Sequence, residues 1–259
     1  MINKRNLFMF DMDGTLTKAR NSITQDMVNA LKNLKSIADI AIISGSDLDY
    51  IKEQCQLLFE NIDDIILLPC NGTKYYLYKD KKFNLKKNVN MKSYMGDKKY
   101  RSIINALLKY QIDLMSNYEY SDKLSYTGTF IDYRESMINW CPIGRKSNSF
   151  ERSLFEDLDA THSIRTKFLK IMGKNPVFSG LSIKYGGNTS FDIYPVGWDK
   201  SYPLENMLLD DYLEYYFIGD RCEEGGNDFE IFSHPKVKGY KTSGPLTTID
   251  LINKLLLGI

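Results

Sequence analysis

The sequence predicts an α/β protein, a parallel-sheet core with helices on both faces, interrupted by an inserted α+β domain of antiparallel sheet plus helices. Three observations carry that expectation. In the first third, short apolar runs alternate with stretches of helical periodicity, the pattern of repeated βα units. The middle changes to helix, hairpin, helix, hairpin, which implies an antiparallel sheet. The last third returns to strand and helix. The expected boundaries are 1–87 for the first part of the core, 88–196 for the insertion and 197–259 for the rest of the core. A chain of 259 residues has room for two modest domains at about 150 residues each.

Each element has its own signal. Residues 7–10 are uniformly apolar and read as a buried strand that stops at Asp11. Over 23–37, Met27, Ala30, Leu31 and Leu34 recur at helical spacing. Residues 40–43 form a second buried strand, and a helix is expected over 47–58. The third strand, 65–68, precedes Asn71-Gly72, a turn signal. Residues 75–78 and 79–82 read as a hairpin on a sheet edge, and the Lys/Asn-rich stretch 79–99 as a solvated linker. In the insertion, a helix over 100–113 leads to strand-like runs at 128–134 and 137–141. A single helix over 150–172 is expected next, with Ser149 as its N-cap. A second hairpin, 181–185 with 191–194, turns around Gly186-Gly187. The last part reads as a helix over 200–209, a buried strand over 215–218, a helix over 228–232 and a final amphipathic helix over 248–257.

Composition narrows the function classes. Lys and Arg total 34 against 33 Asp and Glu, so no strong global field favours nucleic acid or an anionic membrane. The opening apolar run is too short for a signal peptide and is cut off by Asp11, and no window approaches the ~18 apolar residues of a membrane span. The expected compartment is the cytosol. Cys55, Cys70, Cys141 and Cys222 form no CxxC, and the chain has only two histidines, which argues against a zinc site and for buried thiols. Trp140 and the tyrosines read as packing, and Met91 and Met95 as filler.

The sharpest chemical signal is Asp11-Met12-Asp13-Gly14-Thr15 directly after the first strand. Ligands of open parallel sheets bind at the carboxyl ends of the strands. Residues i and i+2 of an extended segment point the same way, so both carboxylates can address one site. A string of this kind arises by chance in a chain of this length with a probability on the order of 10⁻³.

This DxDGT string resembles the nucleophile motif of the haloacid dehalogenase superfamily of phosphotransferases, whose core is a Rossmann-like parallel sheet. Three further motifs stand in the expected order. Ser44 resembles the hydroxyl that binds the transferring phosphoryl, with Ser46 an equal candidate; Lys200 in Gly197-Trp198-Asp199-Lys200 resembles the charge-neutralising lysine; Gly219-Asp220 with Gly225-Gly226-Asn227-Asp228 resembles the acidic Mg²⁺ loop. The resemblance implies Asp11 as nucleophile, Asp13 as general acid/base, and Asp11, Asp220 and the Asp13 carbonyl around Mg²⁺, with Asp228 a metal residue acting through water or one that orients Lys200.

The resemblance narrows further to the eukaryotic-type phosphomannomutases. It is carried by Gly128 to Arg134, Cys141-Pro142-Ile143-Gly144-Arg145, Gly186 to Asp192, Arg20 and Gly225 to Phe232, and it runs over almost the whole chain. It implies interconversion of mannose 6-phosphate and mannose 1-phosphate, activation by a hexose 1,6-bisphosphate, supply of GDP-mannose synthesis, and a homodimer formed through the cap, as the inserted domain is called in this family. Arg145, Arg20 and Arg134 are then the phosphate-binding candidates, with Ser190 and Asp192 contacting sugar hydroxyls or phosphate. Closure of the domains is also implied, with hinges near 86–90 and 195–197.

Two departures stand out. Thr127 occupies a position where the family pattern has an arginine, which removes one phosphate donor and leaves Lys123 as a nearby point charge. His234 and Val237 stand where Asp and Thr are expected, in a stretch associated with a second cation. The rival reading is a Mg²⁺-dependent sugar-phosphate phosphatase with the same Asp11 and Asp13. A catalytically dead dimeric scaffold is a third, opposed by the intact Asp11, Asp13, Lys200 and Asp220.

Overall fold

The structure, a computed structural model, describes residues 5–208 and 212–258. It divides into two compact units, Met1–Asn88 with Gly197–Ile259, and Val89–Val196.

The first unit is built on a seven-stranded sheet. Its strands in chain order are β1 (Leu7–Asp11), β2 (Asp39–Ile43), β3 (Ile65–Leu68), β4 (Lys74–Lys79) and β5 (Lys82–Asn88). After the insertion come β10 (Tyr215–Gly219) and β11 (Val237–Lys241). The spatial order is β11-β10-β1-β2-β3-β4-β5, parallel from β11 to β3 and antiparallel through β4 and β5. Strands buried on both faces need continuous apolar runs. β1 and β2 supply them, with Phe8, Phe10, Ile40 and Ile42 in one core cluster and Leu7, Met9, Ala41 and Ile43 equally buried. That cluster is filled by Met27, Leu31 and Leu34 of α1 (Gln25–Lys35) and Ile252 of α10 (Pro245–Gly258).

Several sequence expectations are corrected here. The helix over 47–58 is two, α2 (Leu48–Gln54) and α3 (Gln56–Asn61), broken at Cys55. The Asp47 carboxylate caps α2 by accepting from the Tyr50 N–H at 3.0 Å. The stretch 79–99 is no linker: β5 occupies its first part, entered through Asp80 and Lys81, both in the left-handed region at φ 53° and 57°. A two-residue turn of this hand usually announces itself by Asn-Gly, and that signal is missing. The lysines of β5 blunt the edge strand. The helix expected over 200–209 shrinks to α8 (Tyr202–Asn206), and Leu209 lies outside the described residues. Strand β11 was not expected; its alternating Val-Lys-Gly-Tyr-Lys is mostly polar because it is the other edge.

The second unit carries a four-stranded antiparallel sheet, ordered β6-β7-β9-β8, from β6 (Ile131–Tyr133), β7 (Ile138–Trp140), β8 (Leu181–Gly186) and β9 (Ser190–Pro195). Its helices are α4 (Met91–Met95), α5 (Asp97–Met115), α6 (Ser149–His162) and α7 (Ile164–Lys174). The single helix expected over 150–172 is therefore two, divided by Ser163 at φ 53°. The N-cap is Asn148 rather than Ser149, in a reciprocal capping box with Glu151. Trp140, stacked on Phe191 and edge-on to Phe168, is fully buried at the centre of this unit.

Candidate functional site

Topology brings the predicted core residues together. β1 lies between β2 and β10, where the strand order reverses, and this is where an open parallel sheet leaves a crevice. Asp11 is in register with Ile43, so Ser44 leaves the neighbouring strand at the same edge of the sheet. Phe10 is in register with Ile218, so Gly219-Asp220 leaves the other neighbour beside Asp11. Gly14 has φ 88°, and a Cβ there would lie 2.2 Å from Asp220 Oδ2. Only glycine lets the turn after Asp11 adopt this conformation and the second acidic loop approach so closely.

Lys200 Nζ donates to Asp11 Oδ1 at 2.5 Å and to Asp228 Oδ1 at 2.6 Å. Lys200 and Asp228 are wholly buried and Asp11 is 4% exposed. Asp228 Oδ2 accepts from the Arg221 N–H at 3.1 Å. Asp228 belongs to α9 (Phe229–Phe232) as its N-terminal flanking residue. Each of Asp11, Asp220 and Asp228 places a carboxylate oxygen within 4.8 Å of the others. Burial pushes the Asp11 carboxyl up to about 8, against the pull of Lys200 and with help from Asp228 and Asp220. Burial, then Asp228, likewise raises Asp220. Burial works against the Lys200 ammonium, but the two carboxylates on it outweigh burial and keep it charged.

Three carboxylates face one ammonium, so two negative charges are in excess in a largely buried place. Hard oxygen donors with that excess fit a divalent cation of the Mg²⁺ type, which neutralises carboxylates that burial otherwise drives toward protonation.

The Asp13 side chain belongs to a different group. Its Oδ1 accepts from the Tyr50 hydroxyl at 3.0 Å and from the Arg20 N–H at 3.3 Å. Arg20 is exposed and left-handed at φ 61°. The two serines separate in character. Ser44 is buried and its hydroxyl accepts from the Ser46 N–H at 3.1 Å, while no hydrogen bond falls on the Ser46 hydroxyl among the described residues.

The second unit gathers Arg134, Arg145, Ser190 and Asp192. The sheet register explains how: Asp132 of β6 pairs with Asn139 of β7, and Asn139 with Asp192 of β9. Arg134 Nε donates to Asp132 Oδ2 at 2.9 Å. Arg145 Nη1 donates to Asn139 Oδ1 at 3.2 Å, and its Nε lies 3.5 Å from Asp132 Oδ2. Asn139 Nδ2 donates to Asp192 Oδ1 at 2.7 Å and to Ser190 Oγ at 3.0 Å. Burial raises Asp192, with Arg134 opposing. Burial and the adjacent Arg134 lower Arg145, which remains a cation at any ordinary pH.

Sequence reasoning missed Tyr50, Gln54, Asp132, Asn139 and Arg152. Arg152 spends its guanidinium on the Ser147 carbonyl at 3.0 Å, the Thr189 hydroxyl at 2.6 Å and the Arg145 carbonyl at 2.9 Å, fixing the loop that presents Arg145. The cross-strand positions of Asp132 and Asn139 follow from register, which the sequence leaves open. Thr127 shares a 2.9 Å hydrogen bond with Ser147 of the same loop. Lys123 is exposed. His234 faces Glu205 at 3.2 Å, and Lys236 faces the same carboxylate at 3.3 Å.

Comparison with known proteins shows the family. The sequence model of a family described as eukaryotic phosphomannomutase matches residues 27–258. The chain is 36% identical to phosphomannomutase 2 of Dictyostelium discoideum, covering 97% of this chain and 96% of that one. It is 34% identical to the phosphomannomutase of Schizosaccharomyces pombe, covering 97% and 94%. Among solved structures, an N-terminally truncated IMP-nucleotidase of Plasmodium falciparum superposes with a TM-score of 0.63 at 14% identity, over 97% of this chain and 70% of that one. That last likeness concerns the fold. Among the described residues no helix is long and apolar enough to cross a membrane.

Proposed function

The chain belongs to the eukaryotic phosphomannomutase family, and from that premise we propose that it moves phosphate between O6 and O1 of mannose through an aspartyl-phosphate on Asp11. The observation that carries this reading is the buried set of Asp11, Lys200, Asp220 and Asp228 at the reversal point of the parallel sheet. In the proposed first step of a turnover the primed Asp11 gives its phosphoryl group to the free hydroxyl of the sugar monophosphate while Asp13 takes that hydroxyl's proton, leaving a free Asp11 carboxylate and a bisphosphate. In the second, after the bisphosphate has turned round, an Asp11 oxygen attacks the other phosphorus, the bond from that phosphorus to the sugar oxygen breaks, and Asp13 gives the proton to that oxygen. Lys200 fixes the attacking carboxylate and offsets charge that builds on the phosphoryl oxygens. Asp11, Asp220, Asp228 and the Asp13 carbonyl are the proposed Mg²⁺ ligands. When bound, the cation supplies the neutralisation without which a carboxylate meets a phosphate dianion as like charges.

Ser44 and Ser46 are both proposed to hydrogen-bond the phosphoryl oxygens, since the Ser44 hydroxyl accepts from the Ser46 N–H and keeps its own hydrogen to donate. The distal phosphate is assigned to Arg145 and Arg134, with Arg20 at the core, and the sugar hydroxyls to Ser190 and Asp192. A hexose 1,6-bisphosphate would prime Asp11 and is also the intermediate. A homodimer through the second unit, a cytoplasmic location and supply of GDP-mannose synthesis complete the reading.

One observation favours the phosphatase alternative: Thr127 contributes a hydroxyl bonded to Ser147 and no charge to the second unit's cluster. The test is ³¹P NMR with Mg²⁺, mannose 1-phosphate and a trace of hexose 1,6-bisphosphate. Mannose 6-phosphate with little inorganic phosphate is expected. Inorganic phosphate alone would replace the mutase by a phosphatase on the same scaffold.

A further inference from the structure

Asp13 is held by groups that no motif announces. Tyr50 projects from the first turn of α2, the helix that Asp47 caps. Its hydroxyl donates to Asp13 Oδ1 at 3.0 Å. The Arg20 N–H reaches the same oxygen at 3.3 Å, so both contacts land on Oδ1, and among the described residues no hydrogen bond falls on Oδ2. Behind the phenol lies the buried Gln54 amide. Its orientation follows from its neighbours: the amide nitrogen faces the Thr17 hydroxyl at 2.8 Å and the Asn21 carbonyl at 3.2 Å. The amide oxygen then sits 2.6 Å from the Tyr50 hydroxyl and 3.3 Å from the Arg20 N–H. Gln54 is 3% exposed and ties α2 to the turn that follows Asp13.

Resting on the phosphoryl-transfer reading above, we propose that Tyr50 is the positioning residue for Asp13: its hydroxyl holds Oδ1 so that Oδ2 exchanges the proton with the sugar oxygen. An acid that becomes a base within one turnover needs one oxygen held still while the other exchanges the proton. The Tyr50 hydroxyl donates to Oδ1 both when Asp13 is a carboxylate and when it is the acid with its proton on Oδ2, because Oδ1 is an acceptor in either state. Among the described residues no hydrogen bond joins Tyr50 to Asp11, Asp220 or Asp228, so its contribution is confined to steps in which Asp13 exchanges a proton with the sugar oxygen.

Tyr50→Phe removes only the hydroxyl. With mannose 1-phosphate, an alkoxide leaving group that needs the acid, kcat is expected to fall about tenfold with KM within about twofold. With 4-nitrophenyl phosphate, whose leaving group departs as a stable anion, the single-turnover release of 4-nitrophenolate that forms the aspartyl-phosphate is expected to stay within about twofold. Combined with Asp13→Asn, the Tyr50→Phe change is expected to add less than about twofold, since the group it positions is gone. An equal loss on both substrates, an unchanged rate with the sugar phosphate, or a full tenfold loss in the Asp13→Asn background would each overturn the assignment. Product analysis of the unaltered protein keeps the two readings apart. If it releases only inorganic phosphate, the mutase reading fails, and the ratio of sugar to aryl rates still decides the role of Tyr50.

Discussion

In the parallel-sheet unit Lys200 and Asp228 have no solvent exposure, and each of the acidic and basic groups depends on the others for its charge. In the antiparallel unit Arg145 keeps 27% of its side chain exposed and leans on Asp132 and Asn139 from one side only. The first arrangement is costly to disturb, because taking one charge away leaves the rest unpaired in a dry place. The second is more tolerant at Arg145, because water already reaches that guanidinium, although Arg134 and Asn139 beside it are buried. On the proposed reading this suits the division of labour: bond breaking needs fixed groups, whereas holding a phosphate at arm's length needs only complementary charge.

The comparison can be tested from its most sensitive point outward. Asp11→Asn is expected to lower turnover by at least about 10⁴-fold while the protein stays folded, measured by the coupled mutase assay with circular dichroism as control. An unchanged rate would remove Asp11 from the chemistry. Lys200→Ala is expected to cost about 3–5 kcal/mol of stability as well as activity, because Asp11 and Asp228 then face one another without the ammonium. Urea unfolding of the two proteins measures it, and a cost like that of a surface lysine would contradict the buried pairing.

The metal can be probed through pH. Asp11, held at about 8 in the metal-free fold, keeps a proton that the unfolded chain releases near its ordinary value of about 4. The stability this group contributes is therefore present in full below about pH 4 and is gone once the pH passes about 8. Metal-free protein should lose thermal midpoint between about pH 5 and pH 8 from this source, and Mg²⁺, which favours the ionised carboxylate, should flatten the slope and bind more tightly as pH rises. A slope untouched by Mg²⁺ would place the cation elsewhere.

Effects in the second unit should be milder. Arg145→Ala is expected to raise KM for the sugar phosphate by about 10- to 100-fold while Mg²⁺ affinity stays within about twofold, read by kinetics and calorimetry. Equal loss of both would make Arg145 structural. The smallest expected change is a gain: Thr127→Arg, which breaks only the bond to Ser147, should lower KM severalfold and reduce hydrolytic leakage in the ³¹P assay. No change in either would show that the position lies outside the phosphate's reach.

The two regions were also unequally legible. Asp11, Asp13 and Gly14 are contiguous, so one motif after one apolar strand places them, and parallel register then brings Ser44 and Asp220 alongside. The second unit's site is assembled across strands. Arg134 and Arg145 stand in recognisable strings, but Asp132 and Asn139, which hold them, become neighbours only through the register of β6 and β7. Tyr50 escaped notice because a tyrosine on an amphipathic helix ordinarily packs; only the close approach of α2 to the turn after Asp13 gives its hydroxyl a task. Helix breaks at Cys55 and Ser163 were invisible to periodicity, since neither residue is a breaker by type. The edge hairpin was legible from its tyrosines, but its second strand was placed too early, at 79–82, because the lysines of β5, which runs from Lys82 to Asn88, read as a linker.

The central claim is that Asp11 carries the phosphoryl group. Acid quenching during turnover with hexose 1,6-bisphosphate and Mg²⁺, followed by peptide mass spectrometry, tests it most directly. Phosphate on the Asp11 peptide, absent from the Asp11→Asn protein, is the expected result. Turnover with no phosphorylated Asp11, or with phosphate on another residue, would contradict it.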